Sequence, residues 1–160
     1  MSEGELTKRD REHMITIFLL GGLNDPIGPS KLAANRDMSR AGALQKMKRL
    51  EEYGVGEYMP KKGLKINSRG KEIIDNEILR HHVVENFFQE SLGMDFEEAC
   101  KESSKLSFEM SERMIELIYS SYGDKISCDC GLCLDPPFKP EDLRGCHWCK
   151  QLFKEEKNDR

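Results

Sequence analysis

"RAGALQKMKRLEEYGVGEYMPKKGLKINSRGKEI", residues 40–73, holds the signals that decide the fold. Ser39 stands just before it and can cap a basic amphipathic helix, which Gly54 closes. Residues 57–59 and 64–66 predict two short strands joined by a turn at Pro60-Lys61-Lys62-Gly63. A hairpin with lysines at its tip, directly behind such a helix, reads as a wing. Upstream, Ser30 can cap a shorter helix, "KLAANR", and a turn at Asp37-Met38 joins the two helices. Any small domain can carry a surface hairpin. Here helix order, charge and hairpin agree on a winged helix-turn-helix.

The charge distribution points the same way. The chain carries 25 Lys and Arg against 29 Asp and Glu, a net charge of −4. Positions 31 to 71 alone hold eleven bases and four acids, net +7. The remainder, with 14 bases and 25 acids, is net −11. A basic block inside an acidic chain is the footprint of a polyanion partner, although a solvated lysine-rich face would look similar. For duplex DNA, Ser39, Arg40 and Gln45 are the candidates for positioning or base edges. Lys46, Lys48 and Arg49 on the helix, with Lys61 and Lys62 on the wing, are the candidates for phosphates. Arg49 has an alternative use in pairing with acids on its own helix.

The flanks are helical. Thr7 with Asp10 forms a loose capping box before Met14, Ile15, Phe18 and Leu19, and Gly21-Gly22 stops that run. Beyond the hairpin, Asn67 or Ser68 begins a long helix to about Ser91, with Ile74, Ile78, Val84, Phe87 and Phe88 as its apolar face. Two shorter patterns follow, from Asp95 to about Phe108 and from Ser111 to about Ser121. This much apolar helix surface needs a partner, and a second copy of the chain is the default for a helix-turn-helix reader. The expected class is mainly α (α+β). The expected divisions are a winged helix over 1–70, a helical dimerisation and metal-binding domain over 71–122, and a cysteine-rich tail over 123–160.

Five of the six cysteines lie in that tail. From Cys130 the spacing is C-x2-C, twelve residues, C-x2-C, using Cys130, Cys133, Cys146 and Cys149. Two such knuckles suit a tetrahedral four-thiolate zinc site, whose binding would supply the folding free energy of a short segment. Cys128 is a surplus thiol that keeps an iron–sulfur or iron site and a redox dithiol open as alternatives. His147 reads as a bystander in the second knuckle, and Trp148 and Phe153 as packing against the helices.

There is no signal-like apolar segment and no run near the roughly 20 apolar residues of a membrane helix, so the expected setting is cytoplasmic. Without a Gly-rich phosphate loop, a Ser-His-Asp arrangement or a recognisable carboxylate pair, neither an enzyme nor a small-molecule substrate is expected.

The stretch from Leu44 to Ser111 resembles the metal-dependent repressors of the diphtheria toxin repressor and manganese transport regulator group. The resemblance rests on "RLEEYG", the wing, "INSRGKEI", "RHHVVENFF", "LGMDFEEA" and Ser111, and it runs from about residue 8 to 120. It implies a homodimeric repressor that binds palindromic operator DNA when Fe(II) or Mn(II) is bound. It also implies two neighbouring metal sites. One falls on His81, Glu85 and Cys100; the other falls on Glu12, Ser104, Ser107 and Phe108.

His81 and Glu85 share a helix face, four residues apart, which suits one cation or a plain surface pair. Cys100 is either a thiolate ligand or a small core residue. His82 points elsewhere and is the weaker candidate. Serine hydroxyls are poor ligands and Phe108 is none, so the second site reads as dismantled. Regulation then resides in the core site with the tail as a zinc brace, or in the tail itself. The alternative from another class is an adaptor that binds proteins through its winged helix and knuckle.

Overall fold

The computed structural model describes residues 5–122, 132 and 134–154. The chain divides into two compact units, Met1–Ile74 with Cys149–Arg160, and Asp75–Trp148.

In the first unit, Thr7 and Asp10 close a full capping box: Asp10 N donates to Thr7 Oγ1 at 3.1 Å and Thr7 N to Asp10 Oδ2 at 2.9 Å. Helix α1 (Lys8–Leu19) buries Met14, Ile15, Ile17 and Phe18, and leaves the expected Leu19 half-buried. Helix α2 (Pro29–Arg36) starts earlier than expected, capped by Gly28 with Pro29 in the first turn. Proline presets the helical φ and has no N–H to satisfy there, so it displaces Ser30 from the capping role. Asp37, in the left-handed region at φ 50°, ends α2. Ser39 caps helix α3 (Arg40–Glu52) by accepting from Gly42 N at 3.0 Å, and Gly54 turns the chain out at φ 73°.

Strands β1 (Gly56–Met59) and β2 (Gly63–Ile66) pair antiparallel, with Gly56 opposite Ile66 and Met59 opposite Gly63. Ile27 bridges to Leu64 on the other edge of β2. A Cβ on Gly63 would collide with the Ile27 carbonyl, and its φ of 118° is itself a glycine conformation. The wing is thus pinned to the loop before α2. Its tip carries Lys61 and Lys62, both exposed.

The chain's end belongs to this unit, which differs from the expected division at 70/71 and 122/123 into a separate tail. Thr16 Oγ1 donates to Leu152 O at 2.6 Å. The Asn35 amide holds the Lys154 backbone twice, at 2.8 and 3.0 Å, and Lys154 Nζ pairs with Asp37. Leu152 is buried, whereas Phe153 is only half-buried.

The second unit is built on helix α4 (Ser68–Leu92), 25 residues and so about 38 Å long. Gly93 at φ 66° breaks it. Asp95 caps helix α5 (Phe96–Leu106) by accepting from Glu98 N at 2.9 Å. Ser111 Oγ accepts from Met114 N at 3.2 Å at the start of helix α6 (Glu112–Tyr122). Val83, Val84 and Phe88 of α4, Ala99 of α5, and Ile115 and Ile118 of α6 form the core of this bundle. Leu132, Leu134, Phe138, Leu143, Cys146 and Trp148 are buried as well. Phe138 N donates to Asp75 of α4 at 3.1 Å, ahead of the 3-10 turn Pro140–Leu143 and helix α7 (His147–Leu152). Residues 134–148 of the tail therefore fold as part of the helical unit.

Candidate metal centre

Residues 80 to 86 of α4 are all buried, although five of the seven are polar or charged: Arg80, His81, His82, Glu85 and Asn86. A helix that turns this many polar groups inward must supply each with a partner.

His81 Nε2 lies 3.1 Å from Glu85 Oε2 and 3.6 Å from Cys100 Sγ of α5. The three ligand atoms all fall within 4.8 Å of one another, and all three residues are buried. Two ligands on a tetrahedral transition-metal ion, at about 2.0–2.3 Å each, are separated by about 3.3–3.8 Å, close to the 3.1 and 3.6 Å at which Glu85 and Cys100 stand from His81 Nε2. A thiolate and a carboxylate with a neutral imidazole carry two negative charges, which match a divalent ion. Ser103 Oγ donates to the His81 carbonyl at 2.6 Å and ties α5 to α4 beside this cluster. The pairing of His81 with Glu85 is buried rather than a surface couple.

The residues of the other expected site do something else. Ser104 Oγ donates to Lys101 O at 2.7 Å. Glu12 pairs with Arg36 at 3.4 Å and Lys8 at 3.8 Å. Ser107 and Phe108 offer their carbonyls to Arg80, at 2.7 and 3.4 Å, and Met110 O accepts from the same guanidinium. Arg80 also binds Glu112 at 2.7 Å. A buried arginine thus satisfies the carbonyls after α5, and among the described residues His81, Glu85 and Cys100 are the one His/Cys/Asp/Glu group placed to hold a metal.

In the tail, the side chains of Cys146 and Cys149 are buried. Cys128, Cys130 and Cys133 lie outside the described residues. His147 is half-buried with its ring edge on Phe96, 5.9 Å between centroids. Trp148 stacks flat on His81, 4.2 Å between centroids and 8° between planes. His82, ranked low from the sequence, has its Nε2 3.3 Å from Cys146 Sγ.

On the winged helix, α3 buries Ala43, Met47 and Leu50, which turns Arg40, Gln45 and Lys48 outward, all exposed. Lys46 and Arg49 are half-buried, and both reach Asp10, at 3.7 and 3.1 Å. Asp10 itself is fully buried. Burial alone would raise its carboxyl, but hydrogen bonds from Thr7 and the Arg49 guanidinium outweigh that and hold it below the usual carboxylate range. The acid that engages Arg49 therefore comes from α1, not from its own helix. The sequence showed Asp10 only as the acid of the capping box, and the buried His13 beside it did not stand out, because it looks like one more polar residue in a charged helix.

Residues 67–133 match the family described as "Iron dependent repressor, metal binding and dimerisation domain". An uncharacterized HTH-type transcriptional regulator of Methanocaldococcus jannaschii is 29% identical over 107 residues, 64% of this chain and 85% of the relative. Among solved structures, a hypothetical protein from Sulfolobus solfataricus superposes with a TM-score of 0.73 at 22% identity, over 82% of this chain and 100% of that one. ScaR with bound Zn2+ gives 0.68 at 19% identity, over 79% of this chain and 59% of that one. T. acidophilum IdeR gives 0.57 at 13% identity, over 75% of this chain and 55% of that one. These structures share the fold, and the family match covers the helices that carry His81, Glu85 and Cys100. Over residues 67–133 the chain is similar to the metal binding and dimerisation domain of iron dependent repressors, and its described fold is shared by metal-dependent regulators of known structure.

Proposed function

We propose that the protein binds duplex DNA as a homodimer and that a divalent cation on His81, Glu85 and Cys100 controls that binding. The observation that carries this reading is the three-ligand cluster, compact and buried at the α4–α5 contact of the metal-binding and dimerisation domain. Bound there, the metal would supply positive charge that neutralises thiolate and carboxylate and locks α5 onto α4. His81 and Glu85 would hold it from one helix turn and Cys100 from the next helix. A thiolate in place of a further oxygen or nitrogen tilts such a site toward iron(II) or zinc and away from manganese(II).

Exposed Arg40, Gln45 and Lys48 on α3, with Lys61 and Lys62 on the wing, are the surface offered to DNA. The homodimer is supported by apolar groups left exposed on the helical unit, above all Met114 and Leu117 of α6, each nearly half exposed. No helix among the described residues is long and apolar enough to cross a membrane. A cytoplasmic setting is part of this proposal.

The test is DNA affinity measured across a metal titration on anaerobic, reduced protein, using a panel of near-palindromic duplexes. Fe(II) or Zn(II) should change affinity at least tenfold in the unsubstituted protein and leave Glu85→Gln unresponsive. A DNA affinity that ignores every divalent metal, or a full response in Glu85→Gln, would overturn the core site as the control point.

A further inference from the structure

The sequence spacing assigns the tail an all-sulfur metal shell, but the structure puts a nitrogen at the second knuckle. His82 is buried, and its Nδ1 lies 2.7 Å from the Ile78 carbonyl of its own helix. A carbonyl only accepts, so Nδ1 carries the proton and the neutral ring presents its lone pair at Nε2. That lone pair is 3.3 Å from Cys146 Sγ, also buried. Metal-bound histidines characteristically donate their other ring N–H to a carbonyl or carboxylate, which fixes ring orientation and raises ligand basicity. Nitrogen and sulfur ligands on a tetrahedral zinc ion stand about 3.6 Å apart, so the pair needs to open by only a few tenths of an ångström to admit one.

Cys146 heads the Cys146-x2-Cys149 knuckle, and both side chains are buried. The neighbouring residue Trp148 stacks on His81, so the knuckle is seated on this turn of α4 by two separate contacts. The His81 and His82 rings stand edge to face, 5.2 Å between centroids. His81 faces Glu85 and Cys100 while His82 faces Cys146, so consecutive histidines serve different thiols.

We propose that His82 Nε2 and the Cys146 thiolate are ligands of a second, thiophilic divalent cation, distinct from the one at His81, Glu85 and Cys100, in a mixed nitrogen–sulfur shell. The site would tether the knuckle to α4 one residue away from the core ligands. The simpler use of the same two atoms is a thiol S–H donating to the imidazole, and the two uses are separable.

The experiment loads reduced protein with cadmium-113 in a Glu85→Gln/Cys100→Ser background, which leaves the core cluster with a single ligand. Proton–cadmium correlation spectra then read the ligands directly. The expected result is one bound ion that correlates with the ring protons of one histidine and with cysteine β-protons. In the same background His82→Cys should keep the ion, lose the ring correlation and move the cadmium resonance toward all-thiolate coordination. Three results would overturn the proposal. They are cysteine-only correlations with His82 intact, ring correlations that persist in His82→Cys, and no cadmium bound in the double variant. If His82→Cys does not fold, sequence-specific assignment of the correlated ring protons in the first spectrum decides the question: assignment to His82 supports the proposal, and assignment to another histidine overturns it.

Discussion

Trp148 lies flat against His81, 4.2 Å between ring centroids, so an indole next to Cys149 holds in place the imidazole of the candidate cluster of His81, Glu85 and Cys100. The ring cannot swing away from Glu85 and Cys100 without breaking that stack. Groups that only orient a metal-bound histidine typically alter metal affinity by about 10–100-fold when removed. Trp148→Leu is therefore expected to weaken metal binding at His81, Glu85 and Cys100 by at least about tenfold while leaving the ligands themselves intact. Competition against a chelator of known affinity measures this, and an unchanged affinity would reduce the stack to core packing.

Arg80 gives a stability prediction. Its side chain is only 4% exposed, yet it serves the Ser107, Phe108 and Met110 carbonyls and Glu112. Truncation would leave those carbonyls buried without their donor, and stranding buried polar partners in this way costs about 3–5 kcal/mol. Arg80→Met should lower the unfolding free energy obtained from urea denaturation by that amount. Arg80→Lys should recover only part of it, since one ammonium cannot reproduce a fork. A loss under about 1 kcal/mol in Arg80→Met would show that water substitutes for the guanidinium.

How much of this was legible in the sequence follows from chain separation. Ser39 with Gly42, Thr7 with Asp10, and the wing between Gly56 and Ile66 are local, so residue identity and spacing were enough to read them. His81 and Glu85 were legible for the same reason, one helical turn apart. The connections that matter most to the site span 39 residues for Arg49 to Asp10, 64 for His82 to Cys146 and 136 for Thr16 to Leu152. No periodicity encodes which partner closes such a distance. Gly28 in place of Ser30 as the α2 cap is a smaller lesson, in which proline's fixed φ overrode a better capping side chain.

His13 supplies a pH dependence. Burial first, then the positive charges of Arg36, Lys46 and Arg9, push its pKa from 6.5 down to about 4, with Asp10 opposing weakly. The unfolded chain thus takes up a proton near pH 6.5 that the folded chain refuses until about pH 4. Stability is full above pH 6.5 and falls as pH drops through that window, by about 2 kcal/mol at pH 5. Asp10 is also depressed, but its loss lies below its ordinary value of 3.8 and so does not overlap. Urea denaturation at pH 7 and pH 5 in chelator should show a steeper acid loss in the unsubstituted protein than in His13→Gln. Equal losses in the two would remove His13 as the cause.

Met114 and Leu117 sit three residues apart on α6 and flank Ile115 and Ile118 of the core, so the apolar stripe of this helix continues past the core onto an exposed edge. An apolar stripe that runs on into solvent marks a surface for a partner. With the homodimer proposed above, Leu117→Glu is expected to yield folded monomers by sedimentation at micromolar concentration, with DNA affinity down by at least about tenfold as two-site attachment is lost. A folded Leu117→Glu dimer would place the subunit contact elsewhere.

The last prediction separates reading from holding on the DNA side. Gln45 lies on the solvent face of α3, directly opposite the buried Ala43–Met47 side, whereas Lys61 projects from the wing tip at φ 65°. A carboxamide can pair with a base edge and discriminates by about 1–3 kcal/mol, while an ammonium meets phosphate and carries no sequence information. Gln45→Ala should narrow the gap between preferred and scrambled duplexes with little change in salt dependence. Lys61→Ala should weaken binding to every duplex alike and reduce the slope of log affinity against log salt by about 0.9, one phosphate's worth of released counterion. Because Lys46 and Arg49 are drawn inward to Asp10, alanine at either should change folding stability more than that slope. If Lys61→Ala changed sequence preference and Gln45→Ala changed only the salt slope, α3 and the wing would have exchanged roles.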